Sequence, residues 1–266
     1  ALVVSGDIAN TAVREQYVAA SEFLRTVCGE LGLDPRRVLL VPGNHDLNWA
    51  LSEDAYTVHR KRSYRGPIDP ESVIDKGEYL EVPDEAKHQA RFEPFAAFYR
   101  GLLQEDYSLD PKRQATLLHI PEGQALILGL NSSWRIDHHY RARASIHPEA
   151  LAQALREVQR TATYRQSRVK LAVFHHPLAS EDEDRIKDLG FLEQLAQAGF
   201  HLALHGHVHR AQTSLFRYSA AQHIEVLGAG TFGAPRHEWR AGLPLQYQVL
   251  RFRGEELTVE TRTRSE

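Results

Sequence analysis

The 266-residue sequence has no methionine and a single cysteine, and each scarcity excludes something. Cys28 alone cannot close an internal disulfide, and its neighbours Phe23, Leu24, Val27 and Leu31 mark it as a small buried hydrophobe. Methionine is missing at position 1 as well, so Ala1 is not a natural translation start and a fragment of a longer chain is expected. No run approaches the roughly 18 consecutive apolar residues of a membrane helix, and the N-terminus has no charged region or cleavage site of a leader. The cytoplasm is therefore the expected compartment. With 32 Lys and Arg against 35 Asp and Glu, the net charge of −3 lacks the basic field of a protein that grips nucleic acid through its phosphates. Repeats and low-complexity stretches are absent too. The length suits one sizeable α/β domain that buries most of its apolar surface.

What the sequence does have is histidine, 15 in all, with several set at the ends of apolar runs. Gly6-Asp7 follows Leu2-Val3-Val4-Ser5, and Gly43-Asn44-His45-Asp46 follows Val38-Leu39-Leu40-Val41-Pro42. His175-His176 follows Val169 to Phe174, and Gly206-His207-Val208-His209 follows Leu202-Ala203-Leu204. Oxygen and imidazole donors thus recur at the C-terminal ends of buried strands, where open α/β sheets hold their ligands. Read together, they describe a dinuclear metal site.

The periodicity predicts strand 1–4, a helix from Val13 to Leu31 ended by Gly32 and Pro35, and strand 37–41. From Leu47 to about Pro111 the pattern turns polar and irregular, with one helix predicted from Glu85 to Leu103. Residues 47–111 read as an insertion leaving from the rim of the site, a lid or substrate-selecting cap. Strands follow at Ala115–Ile120 and Gln124–Leu130 around a Pro121-Glu122-Gly123 turn, then a helix from Pro148 to about Gln159. Strand 169–174, helix 185–198, strand 201–204 and strands near 212–217, 223–228, 245–253 and 256–262 complete the prediction. The β-rich tail is expected to form the second sheet of a sandwich.

These blocks resemble the calcineurin-like metallophosphoesterase superfamily, whose pattern runs D-x-H, G-D, G-N-H-[DE], H and G-H-x-H. Four of the five stand here as Gly6-Asp7, Gly43-Asn44-His45-Asp46, His175 and Gly206-His207-Val208-His209. The longer flanks Val41 to Trp49, Ala172 to Leu178 and Gly228 to Pro235 are similar to a bacterial branch often fused to signalling or NTPase modules. The D-x-H block is expected upstream of Ala1, roughly 25 to 45 residues before Asp7, the length of one βα unit. The resemblance implies a two-sheet β-sandwich flanked by helices, with residues 1–266 as a single N-terminally truncated domain containing the 47–111 insertion.

The resemblance further implies two divalent or mixed-valence metal ions, manganese, iron or zinc, held by Asp7, Asn44, His175, His207 and His209. Asp7 would bridge the pair, with helix capping left to Asn10 or Thr11. Asn44, His175 and His207 would share one metal, and His209 the other. Gly43 is expected to let the backbone turn sharply. His45 would act as general acid on the leaving group or fix the phosphate, oriented by Asp46 on its other ring nitrogen. His207 and His209, two residues apart, are expected to project to one side of an extended segment. His176, His138, His139 and His237 would touch the ligands or face the substrate from the rim, and His205 is not expected to bind metal. The basic cluster of Arg60, Lys61, Arg62 and Arg65 around Tyr64 fits a solvated surface or a phosphate contact.

The expected activity is hydrolysis of a phosphodiester or phosphomonoester, a nucleotide or other small molecule, by direct attack of a metal-activated hydroxide. Two rivals stand beside it. A nuclease predicts a long basic groove and steep salt dependence; a sensor or regulatory module keeps the fold and binds a ligand or partner domain. No membrane partner is expected, and nucleic acid is not the favoured substrate.

Overall fold

The computed structural model describes residues 1–179, 183–219, 222–233, 242, 244–254 and 256–264. The chain opens with strand β1 (Leu2–Val4), helix α1 (Arg14–Glu30) and strand β2 (Val38–Leu40). The 47–111 stretch, expected to be an insertion, follows as α2 (Trp49–Asp54), β3 (Tyr56–Arg60), β4 (Ile74–Asp75), β5 (Tyr79–Pro83), α3 (Glu85–Gln89) and α4 (Glu93–Leu103). Then come β6 (Ala115–Ile120), β7 (Ala125–Leu130), α5 (Pro148–Arg160), α6 (Ala162–Arg165), β8 (Val169–Val173), α7 (Gly190–Gln197) and β9 (Leu202–His205). Strands β10 (Gln212–Arg217), β11 (His223–Gly228), β12 (Gln246–Arg253) and β13 (Glu256–Thr263) finish the fold.

Six strands in the order β10-β11-β9-β8-β7-β6 form the main sheet, with β7, β8, β9 and β11 mutually parallel. Its two faces are apolar for different reasons. Leu126, Leu128, Leu130, Ala172 and Ala203 face α5 and α7, which supply Leu151, Ala154, Val158, Leu192 and Leu195. The alternate residues Ile127, Leu171, Val173, Leu202 and Leu227 face the other way, onto Leu39 and Val41 beside β2 and onto Leu250 and Leu257 of the last hairpin. This period-two switch is what a strand buried on both sides requires. The parallel pair β1-β2 and the hairpin β12-β13 thus form the opposing layer, and α1 and α4 cover the outside of β2 through Tyr17, Leu24, Cys28, Leu40, Phe95 and Phe98. The result is a two-layer β-sandwich flanked by helices.

The tail is divided rather than forming the second sheet on its own. β10 and β11 extend the main sheet, because β11 pairs in parallel with β9, and only β12 and β13 join the opposite layer.

Local chemistry explains the boundaries. Helix α1 ends in a Schellman turn: Gly32 at φ +60° lets its N–H reach Gly29 and the Leu33 N–H reach Cys28. Its start is not capped by Asn10 or Thr11. Their own N–H groups donate to the Gln16 side chain at 3.0 and 2.9 Å, and Val13 sits at the cap position without a side-chain bond. The predicted single helix at 85–103 is broken into α3, a turn of 3-10 helix at Ala90–Phe92, and α4. Pro94 causes the break: it has no N–H to donate, and its ring would meet the carbonyl four residues back. The insertion also contains a three-stranded sheet, β3-β5-β4, that the prediction lacks. Helix α7 begins at Gly190 rather than 185, since Ile186 is drawn into the core and its N–H bonds to Pro177 at 2.9 Å.

Candidate metal centre

The four motif blocks converge where β1, β2, β8 and β9 end. Phe174 is fully buried against Phe191, an anchor contributing about 2–3 kcal/mol. It delivers His175 to the edge of the sheet. There Gly206 donates to the His175 carbonyl at 3.0 Å, and His175 Nδ1 meets the Ser5 carbonyl at 2.7 Å, so three strand ends are laced together. The approach is close enough to need glycine. A Cβ on Gly6, at φ +98°, would collide with the His175 ring, and one on Gly43 would collide with the Asp7 carboxylate. Gly43 thus supplies clearance without a positive φ, and the chain turns directly after it over residues 44–47.

Asp7, Asn44, His175 and His207 are brought together. His175 Nε2 lies 3.0 Å from Asp7 Oδ2, 3.1 Å from Asn44 Oδ1 and 3.1 Å from His207 Nδ1, and the last two atoms are 3.2 Å apart. Tautomers decide what this means. His175 Nδ1 faces a carbonyl, so in the neutral ring it carries the hydrogen and Nε2 is bare. His207 Nε2 faces the Asp184 carboxylate at 2.6 Å, so its Nδ1 is bare. With both rings neutral, four lone-pair atoms thus point at one another; a proton on His175 Nε2 would bond to the Asp7 carboxylate instead. Bonds of about 2.0–2.1 Å from a tetrahedral cation would separate such donors by about 3.3–3.4 Å, close to the spacing here. Two imidazoles, a carboxylate and an amide oxygen suit a borderline divalent ion. The donor set therefore fits a metal.

Electrostatics agree. Burial alone would push His175 down, but the Asp7 carboxylate and the Ser5 carbonyl outweigh it and hold the imidazole above its ordinary range. Burial would likewise raise Asp7, yet His175 and His45 keep it well below the usual carboxylate range. A proton on His175 Nε2 and a divalent cation would claim the same space, so they compete. Among the described residues, His175, His176 and His207 also bring their ring nitrogens within 4.8 Å of one another. His176 is buried; its Nδ1 pairs with Ser132 Oγ at 2.8 Å, while its Nε2 has no partner and burial holds it well below the ordinary histidine range.

Backbone strain concentrates on the same residues. Asp7, His207 and His209 adopt φ of 55°, 68° and 56°, a left-handed region costly for residues with a Cβ. His207 and His209 are therefore not neighbours along an extended segment, as expected from their spacing. His209 is half-buried and, among the described residues, makes no hydrogen bond, ion pair or ring contact.

Asp46 does not orient His45. Fully buried, it accepts from the N–H groups of Ile8, Ala9 and Gly43 at 3.1, 3.0 and 2.9 Å and from the Tyr17 hydroxyl at 3.0 Å. It ties the loop after β1 to the loop after β2. Burial pushes its carboxyl up to about 6, with Asp7 adding repulsion and the three N–H groups opposing. His45 Nδ1 instead meets the Asn10 carbonyl at 2.8 Å, and the His45 N–H donates to Asp7 Oδ1 at 3.0 Å. Ring orientation is thus supplied by backbone, which leaves Nε2 as the nitrogen available for chemistry.

The remaining histidines separate. His205 is buried, with Nδ1 on the Gly206 carbonyl at 2.9 Å and Nε2 beside the Gln212 amide at 3.3 Å, and burial pushes it down to about 4. His138 pairs with Ser52 at 3.2 Å and His139 approaches Glu81 at 2.8 Å, both at the seam with the insertion. His237 lies outside the described residues. Arg60, Lys61, Arg62 and Arg65 sit at an exposed turn of the insertion, where Lys61 pairs with Asp75 at 2.5 Å. Two site residues had no motif to announce them. Ser132, at the end of β7, receives the N–H of His175 and of His176 at 3.2 and 3.1 Å, and Asp184 holds His207.

The sequence profile of the calcineurin-like phosphoesterases (Metallophos) matches residues 1–211, so the chain belongs to that phosphoesterase family, whose members use divalent metals. It is similar to the structure of purple acid phosphatase PPD1 from yellow lupin (Lupinus luteus) seeds, with 12% identity and a TM-score of 0.54 over 98% of this chain and 43% of that one. A chain from Staphylococcus aureus assigned as a 5'-nucleotidase, in complex with alpha-ketoglutarate, aligns at 14% identity over 92% of this chain and 39% of that one. Its TM-score of 0.39 is too low to argue from. The chain thus spans less than half the length of either. No curated protein matches it. Among the described residues, no helix is long and apolar enough to cross a membrane.

Proposed function

We propose that the chain hydrolyses a phosphodiester or phosphomonoester of a nucleotide or other small molecule with the help of two divalent cations. The observation that carries this reading is the meeting of four bare donor atoms, those of Asp7, Asn44, His175 and His207, at separations of 3.0–3.2 Å. These residues would hold one cation; Asp7 and His209 would contribute to the second. When bound, such ions polarise phosphoryl oxygens and activate water at neutral pH.

The chain's own groups do the rest. His45, fixed through Nδ1 on Asn10, would bear the proton for the departing oxygen on Nε2 as an imidazolium. Asp46 would keep the two donor loops at constant spacing. The 47–111 insertion would act as a cap. Between it and residues 134–143 lies an open cavity of about 400 Å³, lined among others by Tyr56, Trp134, Tyr140 and by Arg135 and Arg143, both paired with Glu71. Arg91 pins the two walls together: its guanidinium, fully buried and pushed down to about 10 by desolvation, donates to the carbonyls of His88, Trp134 and Ile136.

The test is stripping of metals by chelation, reconstitution with manganese, iron(II) or zinc separately, and assay on phosphomonoesters and phosphodiesters. Hydrolysis should vanish on stripping and return with at least one ion. Tight metal binding without turnover of either ester class would replace this reading with that of a binding module.

A further inference from the structure

Asp184 belongs to no motif block and stands 23 positions before His207 in sequence, yet its Oδ2 lies 2.6 Å from His207 Nε2. Its placement has a mechanical cause. Two residues on, Ile186 is 1% exposed in the core beneath the main sheet, and its N–H is bonded to the Pro177 carbonyl at 2.9 Å. Residues 183–186 are thereby held beside Pro177, just past the end of β8. Asp184 is carried to the outer side of the His207 ring, opposite the nitrogen that meets His175 and Asn44. Its other oxygen, Oδ1, is enclosed and has no hydrogen-bond partner, so the imidazole is what this carboxylate binds.

We propose that Asp184 is a positioning residue that fixes His207 in the tautomer with hydrogen on Nε2 and the lone pair of Nδ1 turned toward the cation. The inference rests on the metal-centre reading above. Without an acceptor at Nε2, the ring is free to place its hydrogen on Nδ1, which closes that nitrogen to a metal. It also loses the bond that sets its rotation, at a residue whose φ of 68° is already strained. A carboxylate on the far nitrogen raises the donor strength of the near one as well. His175 is held by the Ser5 carbonyl in the same sense, so the two imidazoles differ: one leans on neutral backbone and one on a charged side chain.

The experiment compares wild type, Asp184→Ala, Asp184→Asn and Asp188→Ala. Asp188 lies in the same segment and caps the Gly190 N–H at 2.9 Å, so its replacement loosens the loop without touching His207. Two quantities are read: the His207 tautomer from long-range ¹H–¹⁵N NMR of the chelated protein, and affinity for Zn²⁺ or Mn²⁺ by calorimetry. Wild type should carry hydrogen on Nε2. Asp184→Ala should mix the tautomers and weaken metal binding by about 10- to 100-fold, the range for removing such an outer partner. Asp184→Asn, whose carbonyl can still accept, should keep the tautomer and lose less affinity; it also decides the question if the alanine variant does not fold. Asp188→Ala should behave as wild type. Wild-type tautomer and affinity in Asp184→Ala would overturn the proposal, as would equal losses in Asp184→Ala and Asp188→Ala. If wild type itself binds no metal, the metal-centre reading fails, and the NMR arm still decides whether Asp184 sets the tautomer.

Discussion

Two histidine clusters lie near the ends of these strands, and they are built on opposite rules. At the seam with the insertion, Tyr56 is ringed by His88, His138 and His139 at centroid distances of 6.3, 5.1 and 4.8 Å. Asp137 sits among them, and every polar contact it makes there joins a donor to an acceptor. It accepts from Tyr56 at 2.8 Å, from the N–H groups of His139 and Tyr140 at 2.9 and 2.8 Å, and pairs with His88 at 3.4 Å. At the metal centre four acceptors face one another instead. Three imidazoles and a carboxylate occur in both places, so composition cannot tell them apart. The direction of the lone pairs around the carboxylate does: donors surround Asp137, whereas the acceptors converging beside Asp7 call for a cation or a proton.

The sharpest way to break this contrast is to remove one imidazole from each cluster. His207→Ala should abolish tight metal binding and hydrolysis together, while His138→Ala should leave metal content unchanged, as measured by elemental analysis of dialysed protein. Metal lost equally from both variants would erase the distinction. Next in size, His45→Ala should retain metal and lower turnover by about 10²- to 10⁴-fold on esters with alkoxide leaving groups. With p-nitrophenyl esters, whose leaving group needs little protonation, the loss should be far smaller. Metal loss in that variant would move His45 into the ligand set, and equal losses on both substrates would make it a phosphate-positioning residue.

The smallest effect concerns pH and the seam cluster. Burial holds His88 below its ordinary value, so the unfolded chain binds more protons as pH falls through about 6.5, and stability declines on the acid side. Asp137, kept well below the usual range by His88 and Tyr56 against the pull of burial, adds a second decline as pH falls below about 3.9. Protection factors of residues 50–90, taken from hydrogen exchange corrected for the intrinsic rate at each pH, should therefore fall between pH 7 and 5, and His88→Gln should flatten that change. An unaltered profile in this variant would assign the acid response elsewhere.

Much of this was legible in the sequence, for identifiable reasons. The strand ends carrying Asp7, Asn44, His175 and His207 stood out because buried strands leave long apolar runs and the donors follow directly after them. Tertiary effects were hidden. Asp184 reaches His207 only because Ile186 is pulled into the core, and Ser132 serves two histidines on another strand through a fold-back that no spacing encodes. The insertion's sheet was illegible because its strands are mostly exposed: β3 buries little of Tyr56–Arg60 and β4 has two residues, so no alternation develops. The helix break at Pro94 carried a plain signal that the apolar spacing of Phe92, Phe95, Phe98 and Tyr99 outweighed. The strained φ of His207 and His209 defeated the period-two argument, which holds only for extended backbone.

The lacing of Gly6, Gly43 and Asp46 has a consequence for how the protein lives with a changing metal supply. Asp46 binds both donor loops through three N–H bonds and is held to α1 by the Tyr17 hydroxyl, so the spacing of the loops is set by bonds of the protein's own. Donor loops tied together in this way would keep their spacing while one cation replaced another. Occupancy then follows the relative abundance of ions in the surroundings, weighted by the ordinary preference of nitrogen and oxygen donors for the later first-row metals. On the proposed function, the activity of the same polypeptide would then follow the metal supply with no change in its sequence or amount.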